Sequence, residues 1–115
     1  MNTMKFYHNP RCGKSREALK LLQEKGIESE IIEYLKNIPT HAELEDVLQK
    51  LDMKAEDLLR KNEKVFKELY KGKDLSDSEW IEAMIAEPKL IERPIFVNGD
   101  KAVVGRPPEK VLELI

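Results

Sequence analysis

Cys12 is the only cysteine among 115 residues. It stands in His8-Asn9-Pro10-Arg11-Cys12-Gly13-Lys14-Ser15-Arg16, where a strand-forming run gives way to a helix-forming one. That places it at the N-cap or first turn of a helix, where unpaired N–H groups and the helix dipole favour negative charge. Arg11, Lys14 and Arg16 add cations. A free thiol of pKa ~8.5 is only about 3 % ionised at pH 7, so this setting favours a reactive thiolate. The competing reading is a small buried apolar residue, a common fate of cysteine. Two familiar motifs fail here. Gly13-Lys14-Ser15 would end a phosphate-binding Walker loop, but that loop needs a glycine where His8 stands. A thioredoxin-type Cys-x-x-Cys fails because Ser15 holds the second position. A lone thiol also excludes an internal disulfide, and His8, His41 and Cys12 are too sparse for a metal site. An adduct formed on Cys12 must therefore be released by a thiol from another molecule.

The elements that would position this residue follow from hydrophobic period. Met4-Lys5-Phe6-Tyr7-His8 reads as a strand ended by Asn9-Pro10. Ala18, Leu19, Leu21 and Leu22 fall at helical spacing over Gly13 to Lys25, and Gly26 is placed to end that helix as a left-handed cap. Glu30 to Tyr34 is a second strand, so the start reads as a βαβ unit with parallel strands. The middle is helical. Thr40/Glu43 and Ser76/Glu79 have capping-box spacing, before Leu44, Val47, Leu48 and Leu51 and before Trp80, Ile81, Met84 and Ile85. Short helices are expected around Glu56 to Arg60 and over Val65 to Tyr70. Pro88 closes this stretch. Ile95-Phe96-Val97, the hairpin signal Asn98-Gly99 and Ala102-Val103-Val104 form a strand pair. Arg106-Pro107-Pro108 opens a last helix with Val111, Leu112 and Ile115 on its inner face. The order predicts an α/β fold of thioredoxin-like type: βαβ then ββα, a mixed sheet covered by helices on both faces. A helical insertion at approximately 39–88 separates the halves, within one domain over 1–115.

Composition narrows the function. Lys plus Arg is 20 and Asp plus Glu is 22, a net charge of −2, which argues against direct nucleic-acid binding. No apolar run approaches the roughly 20 residues of a membrane helix. No targeting segment is evident, so a cytoplasmic location is expected.

The Cys12 segment resembles the active-site segment of the glutaredoxin-dependent arsenate reductase (ArsC) family, and the chain is most similar to its short members. Leu58-Leu59-Arg60-Lys61-Asn62, Glu92-Arg93-Pro94-Ile95 and Gly105-Arg106-Pro107-Pro108 resemble the family's three arginine segments, in order and at matching spacing. The resemblance implies a thioredoxin-like fold and an enzyme of arsenic detoxification. It implies that the Cys12 thiolate attacks arsenate or a similar oxyanion and that Arg60, Arg93 and Arg106 hold that oxyanion. Glutathione, as co-substrate, would attack the adduct, and glutaredoxin would resolve the mixed species as arsenite leaves. No bound cofactor, no membrane and a monomer are expected. The chemistry is coherent, because planar arginine supplies forked donors for a tetrahedral oxyanion better than lysine does.

Each supporting residue has a plainer reading. Arg60 could be one cation on a solvated helix, and Arg106 could merely approach a helix start, where a cation is mildly unfavourable. Pro94 precedes the third strand, where thioredoxin-like folds carry a cis proline facing the active-site cysteine. His8 is either a strand residue or an imidazolium that helps ionise Cys12. Ser15 either caps the first turn or donates to the thiolate. Two alternative functions remain: a related glutathione-linked thiol oxidoreductase with another substrate, and a non-enzymatic RNA-polymerase-binding regulator.

Overall fold

A computed structural model describes residues 4–115. The chain divides into two compact units, Met1–Asn37 with Arg93–Ile115, and Ile38–Glu92.

The first unit carries a four-stranded sheet in the order β2-β1-β3-β4. Strand β1 (Met4–His8) pairs parallel with β2 (Glu30–Glu33) and antiparallel with β3 (Ile95–Asn98), which pairs antiparallel with β4 (Lys101–Val104). Helix α1 (Gly13–Glu24) links the parallel strands, as a crossover must. Gly26, at φ +71°, follows its end in the left-handed region, where the lack of a side chain removes the steric penalty. Phe6 lies opposite Phe96 across β1 and β3, and both are fully buried. With Ala18, Leu22 and Val111 they form one core cluster, so α1 and the segment Pro108–Leu114 share a face of the sheet. Full burial of a phenylalanine contributes about 1.5–3 kcal/mol. On the opposite face Tyr7, Ile95 and Val97 are also buried.

Three local expectations shift. The second strand stops at Glu33, one residue short of Tyr34. The hairpin loop is Gly99-Asp100, with Asn98 still in β3 opposite Lys101 and Gly99 at φ +63°. The last helix is a 3-10 helix, Pro108–Leu114, and not an α-helix. The Asn98 side-chain amide donates to the Leu114 carbonyl at 2.6 Å, tying the hairpin to that helix.

The second unit contains α2 (His41–Leu51), α3 (Lys64–Leu69) and α4 (Asp77–Ala86). Both capping boxes form: Thr40 and Ser76 accept the N–H groups of Glu43 and Glu79, whose carboxylates accept the cap N–H groups in return. Leu44, Val47 and Leu48 are buried on α2, and Trp80, Ile81 and Met84 on α4. Trp80 stacks on Phe66 of α3 with centroids 6.1 Å apart. The expected helix at Glu56 to Arg60 is a 3-10 helix over Ala55–Leu58, followed by a β-bridge from Leu59 to Ile91. That bridge, with the Glu92 N–H donating to the Leu58 carbonyl at 2.9 Å, binds the segment after Pro88 to this unit. The unit therefore reaches Glu92, where the sequence suggested an end near residue 88.

Candidate active site

The site grows out of the end of β1. Asn9 opens a turn in which the Cys12 N–H donates to the Asn9 carbonyl and the Arg11 N–H to Asn9 Oδ1, each at 3.0 Å. Pro10 occupies the second position, where its restricted φ suits a tight turn. Cys12 is the N-cap of α1 in extended conformation, φ −92° and ψ 122°, and its carbonyl accepts the Arg16 N–H. The sequence expectation for its place in the chain is met.

Cys12 is 9 % exposed. Burial pushes the thiol up, but other groups outweigh that and bring it below its ordinary value. They are the Ser15 backbone N–H, the charge of Arg93, the Lys14 backbone N–H and a hydrogen bond from the Arg93 side chain. The physical cause is the start of a helix, whose unpaired N–H groups face an anion, joined by a guanidinium. Arg106 closes the other side. Its Nη2 donates to Sγ at 3.6 Å, and its Nε donates to the Arg93 carbonyl at 2.8 Å. Arg93 and Arg106 are thus linked to each other and both reach the sulfur. A thiolate set among helix N–H groups and two guanidiniums is a nucleophile inside an anion-binding cradle.

His8 and Ser15 are paired with each other. Ser15 is fully buried, and its Oγ accepts the Asn9 N–H at 3.0 Å and shares a 2.7 Å hydrogen bond with His8 Nδ1. Its hydroxyl is committed to that pair, and its backbone N–H is the group that serves the thiolate. Burial lowers the pKa of His8, outweighing the opposing Glu33 carboxylate and aided by Arg16, so the neutral ring is favoured. Through its hydrogen bond to Ser15, His8 braces the first turn of α1.

The Arg93–Pro94 peptide bond is cis, as the fold resemblance suggested; the Arg106–Pro107 bond is cis as well, which the sequence reading missed. Gly105 was also missed. Its N–H donates to the Pro94 carbonyl at 2.9 Å, and a Cβ there would lie 2.9 Å from Pro94 Cγ and 3.1 Å from Val111 Cγ1. Glycine directly before Arg106 was the available signal. Arg60 belongs to the other unit, 38–92, where its N–H donates to the Leu90 carbonyl at 2.7 Å and its side chain pairs with Glu63.

The ArsC family model matches residues 7–114. The chain belongs to the ArsC family. Among curated relatives, the uncharacterized protein YfgD of Escherichia coli (strain K12) is 49 % identical over 114 residues, covering 97 % of this chain and 96 % of that protein. An arsenate reductase of Haemophilus influenzae is 44 % identical over 112 residues, covering 96 % of this chain and 97 % of that one. The solved structure of an arsenate reductase from Vibrio cholerae superposes with a TM-score of 0.94 at 44 % identity, covering 99 % of this chain and 98 % of that one. The thioredoxin-like architecture inferred from element order is the fold of these ArsC neighbours. Among the described residues no helix is long and apolar enough to cross a membrane.

Proposed function

We propose that this protein is an arsenate reductase that works through a covalent adduct on Cys12. The observation that carries the reading is the acid-shifted thiol of Cys12 with Arg106 Nη2 at 3.6 Å and Arg93 beside it. The arsenate reductases among its close relatives supply the substrate. Arsenate is a tetrahedral oxyanion, and the cradle offers forked donors and helix N–H groups for its oxygens. The thiolate attacks arsenic and one oxygen leaves as water, with no change in oxidation state. Glutathione then attacks the adduct at arsenic and displaces a second oxygen as water, giving a mixed species with both sulfurs on arsenic. A glutaredoxin thiolate attacks the glutathione sulfur; the S–As electron pair passes to arsenic, and a glutaredoxin–glutathione disulfide leaves. Water then releases arsenite from Cys12 and restores the thiolate. The second thiol must come from outside, because Cys12 is the only cysteine. Arg93 and Arg106 stabilise charge on the transferring oxygens. Arg60, from the family's central arginine segment, is assigned as a third donor to the oxyanion. The protein acts as a monomer in the cytoplasm, where both thiol partners reside.

The test is coupled turnover of arsenate with glutathione, glutaredoxin and a nicotinamide-linked reductase. Turnover should vanish in Cys12→Ser and fall steeply in Arg60→Ala. Activity unchanged in Cys12→Ser would sink the mechanism, and unchanged activity in Arg60→Ala would remove that residue from the oxyanion grip.

A further inference from the structure

The side chains of Arg11, Lys14 and Arg16 have no part in the chemistry described so far. They lie close to Cys12 in the chain, and no acidic residue stands between His8 and Arg16. The sequence suggested that these cations ionise the thiol. The groups that lower it are instead the Ser15 and Lys14 backbone N–H groups and the Arg93 side chain. Arg11, Lys14 and Arg16 are all exposed, and none forms an ion pair among the described residues. A local surplus of positive charge therefore surrounds the nucleophile in a chain whose net charge is −2.

Arg16 is the cation that is held in place. Its backbone N–H donates to the Cys12 carbonyl and its Nη1 to the Pro10 carbonyl, each at 3.0 Å. The side chain thus folds back from the first turn of α1 onto the turn that carries Cys12. A Cβ on Gly13 would lie 3.8 Å from Arg16 Nη2. Apart from the chain neighbours and the helix backbone, no other described atom is within 4 Å of that point. Gly13 therefore keeps open space directly after the nucleophile, bordered by a guanidinium. With Nη1 engaged, Nε and Nη2 make no hydrogen bond among the described residues. An anchored guanidinium with donors to spare suits a carboxylate.

We propose that Arg16, with Arg11 and Lys14, forms a carboxylate-binding subsite that recognises glutathione as the incoming thiol. This deepens the arsenate reductase reading and rests on it for the need of an outside thiol. Glutathione carries its thiol on the middle residue of a tripeptide, with a carboxylate at each end. An extended tripeptide spans about 10 Å, so its carboxylates reach residues flanking Cys12 while its thiol faces the adduct. Exposed cations contribute modestly and are screened by salt. They act on the encounter with glutathione and not on the reacting atoms.

The experiment uses the whole protein with Cys12 reduced. It measures the second-order rate of exchange with glutathione disulfide and with the uncharged 2-hydroxyethyl disulfide. In each exchange the Cys12 thiolate forms the new S–S bond and one thiolate of the disulfide leaves, so no other oxidant is needed. Wild type is compared with Arg16→Gln and with the double variant Arg11→Gln/Lys14→Gln. Each variant should slow glutathione disulfide about threefold to fivefold. The rate with 2-hydroxyethyl disulfide should stay within about twofold, because exposed charges do not steer a neutral reagent. Added salt should bring the wild-type rate with glutathione disulfide towards that of the variants. In arsenate turnover the KM for glutathione should rise while that for arsenate holds. Equal slowing with both disulfides overturns the inference, because it shows a disturbed thiol and no recognition. So does an unchanged rate with glutathione disulfide, or a KM that rises for arsenate alone. A wild-type protein that selects glutathione disulfide through Arg16 yet does not reduce arsenate keeps this subsite and loses the arsenate reading.

Discussion

Gly105 links the packing of the first unit to the geometry of the thiol, so Gly105→Ala should perturb both. The added Cβ would lie 2.9 Å from Pro94 Cγ, 3.1 Å from Val111 Cγ1 and 3.5 Å from Ala18 Cβ. The first distance is one that real Cβ atoms essentially never show, and the second requires a neighbour to give way. Neither neighbour is a flexible tip: Pro94 and Val111 are among the fully buried side chains. Overpacking of this kind costs about 1–3 kcal/mol. Alanine also restricts the unfolded chain, which offsets about 0.4–1 kcal/mol because Gly105 is outside the positive-φ glycines and alanine can adopt its backbone. At the midpoints of these ranges the net loss is about 1.3 kcal/mol, which for a domain of this size lowers Tm by roughly 4–8 °C. A functional effect should accompany it. Gly105 directly precedes Arg106, whose Nη2 contacts Sγ, and its own N–H is bound to the Pro94 carbonyl. Pushing Gly105 off Pro94 displaces that guanidinium. Thermal melts and iodoacetamide labelling of Cys12 across pH measure the two effects. A Tm within a degree or so of wild type would refute the packing argument. A lowered Tm with an unchanged labelling rate would refute the link to Arg106.

Two further predictions concern titration. Arg93→Ala keeps the carbonyl that accepts Arg106 Nε but removes the charge and hydrogen bond that favour the thiolate. The inflection of iodoacetamide labelling should move up towards the ordinary thiol range, and an unmoved inflection would assign the activation to the helix N–H groups alone. His8 has a folded-state pKa below its ordinary 6.5 because burial disfavours its charged form. Its contribution to stability is therefore present above 6.5 and is lost as pH falls towards the folded value, with a slope of at most about 1.4 kcal/mol per pH unit. Denaturant midpoints measured through this window should fall more steeply in wild type than in His8→Gln; parallel slopes would contradict the burial argument.

Much of the architecture was legible because it is local. The strand-forming residues of Met4–His8, the helical spacing in Gly13–Glu24 and the hairpin signal at Asn98-Gly99 depend on local side-chain preference and on glycine's access to positive φ. The two capping boxes are reciprocal hydrogen bonds over three residues and were visible as spacing alone. Misreadings cluster where tertiary contacts overrule local preference. The 3-10 helix Ala55–Leu58 gives way to a bridge because Leu59 has a partner at Ile91, 32 positions later in the chain. The Pro108–Leu114 segment stays a 3-10 helix although its apolar residues are spaced for an α-helix.

The sequence by itself determined the candidate nucleophile Cys12, its place at a helix start and the lack of a second cysteine beside it. Each follows from one residue type in one local setting. It also supplied the arginine segments, through family resemblance. Only the tertiary structure decided which side chains join the local Lys14 and Ser15 N–H groups at the sulfur, because Arg93 and Arg106 come from segments about 80 to 95 residues away. It showed that Arg93 and Arg106 are joined through a carbonyl, that the Ser15 backbone N–H favours the thiolate, and that burial lowers the pKa of His8. A histidine four residues before a cysteine suggests a cation; burial, which no local pattern reveals, disfavours that charge.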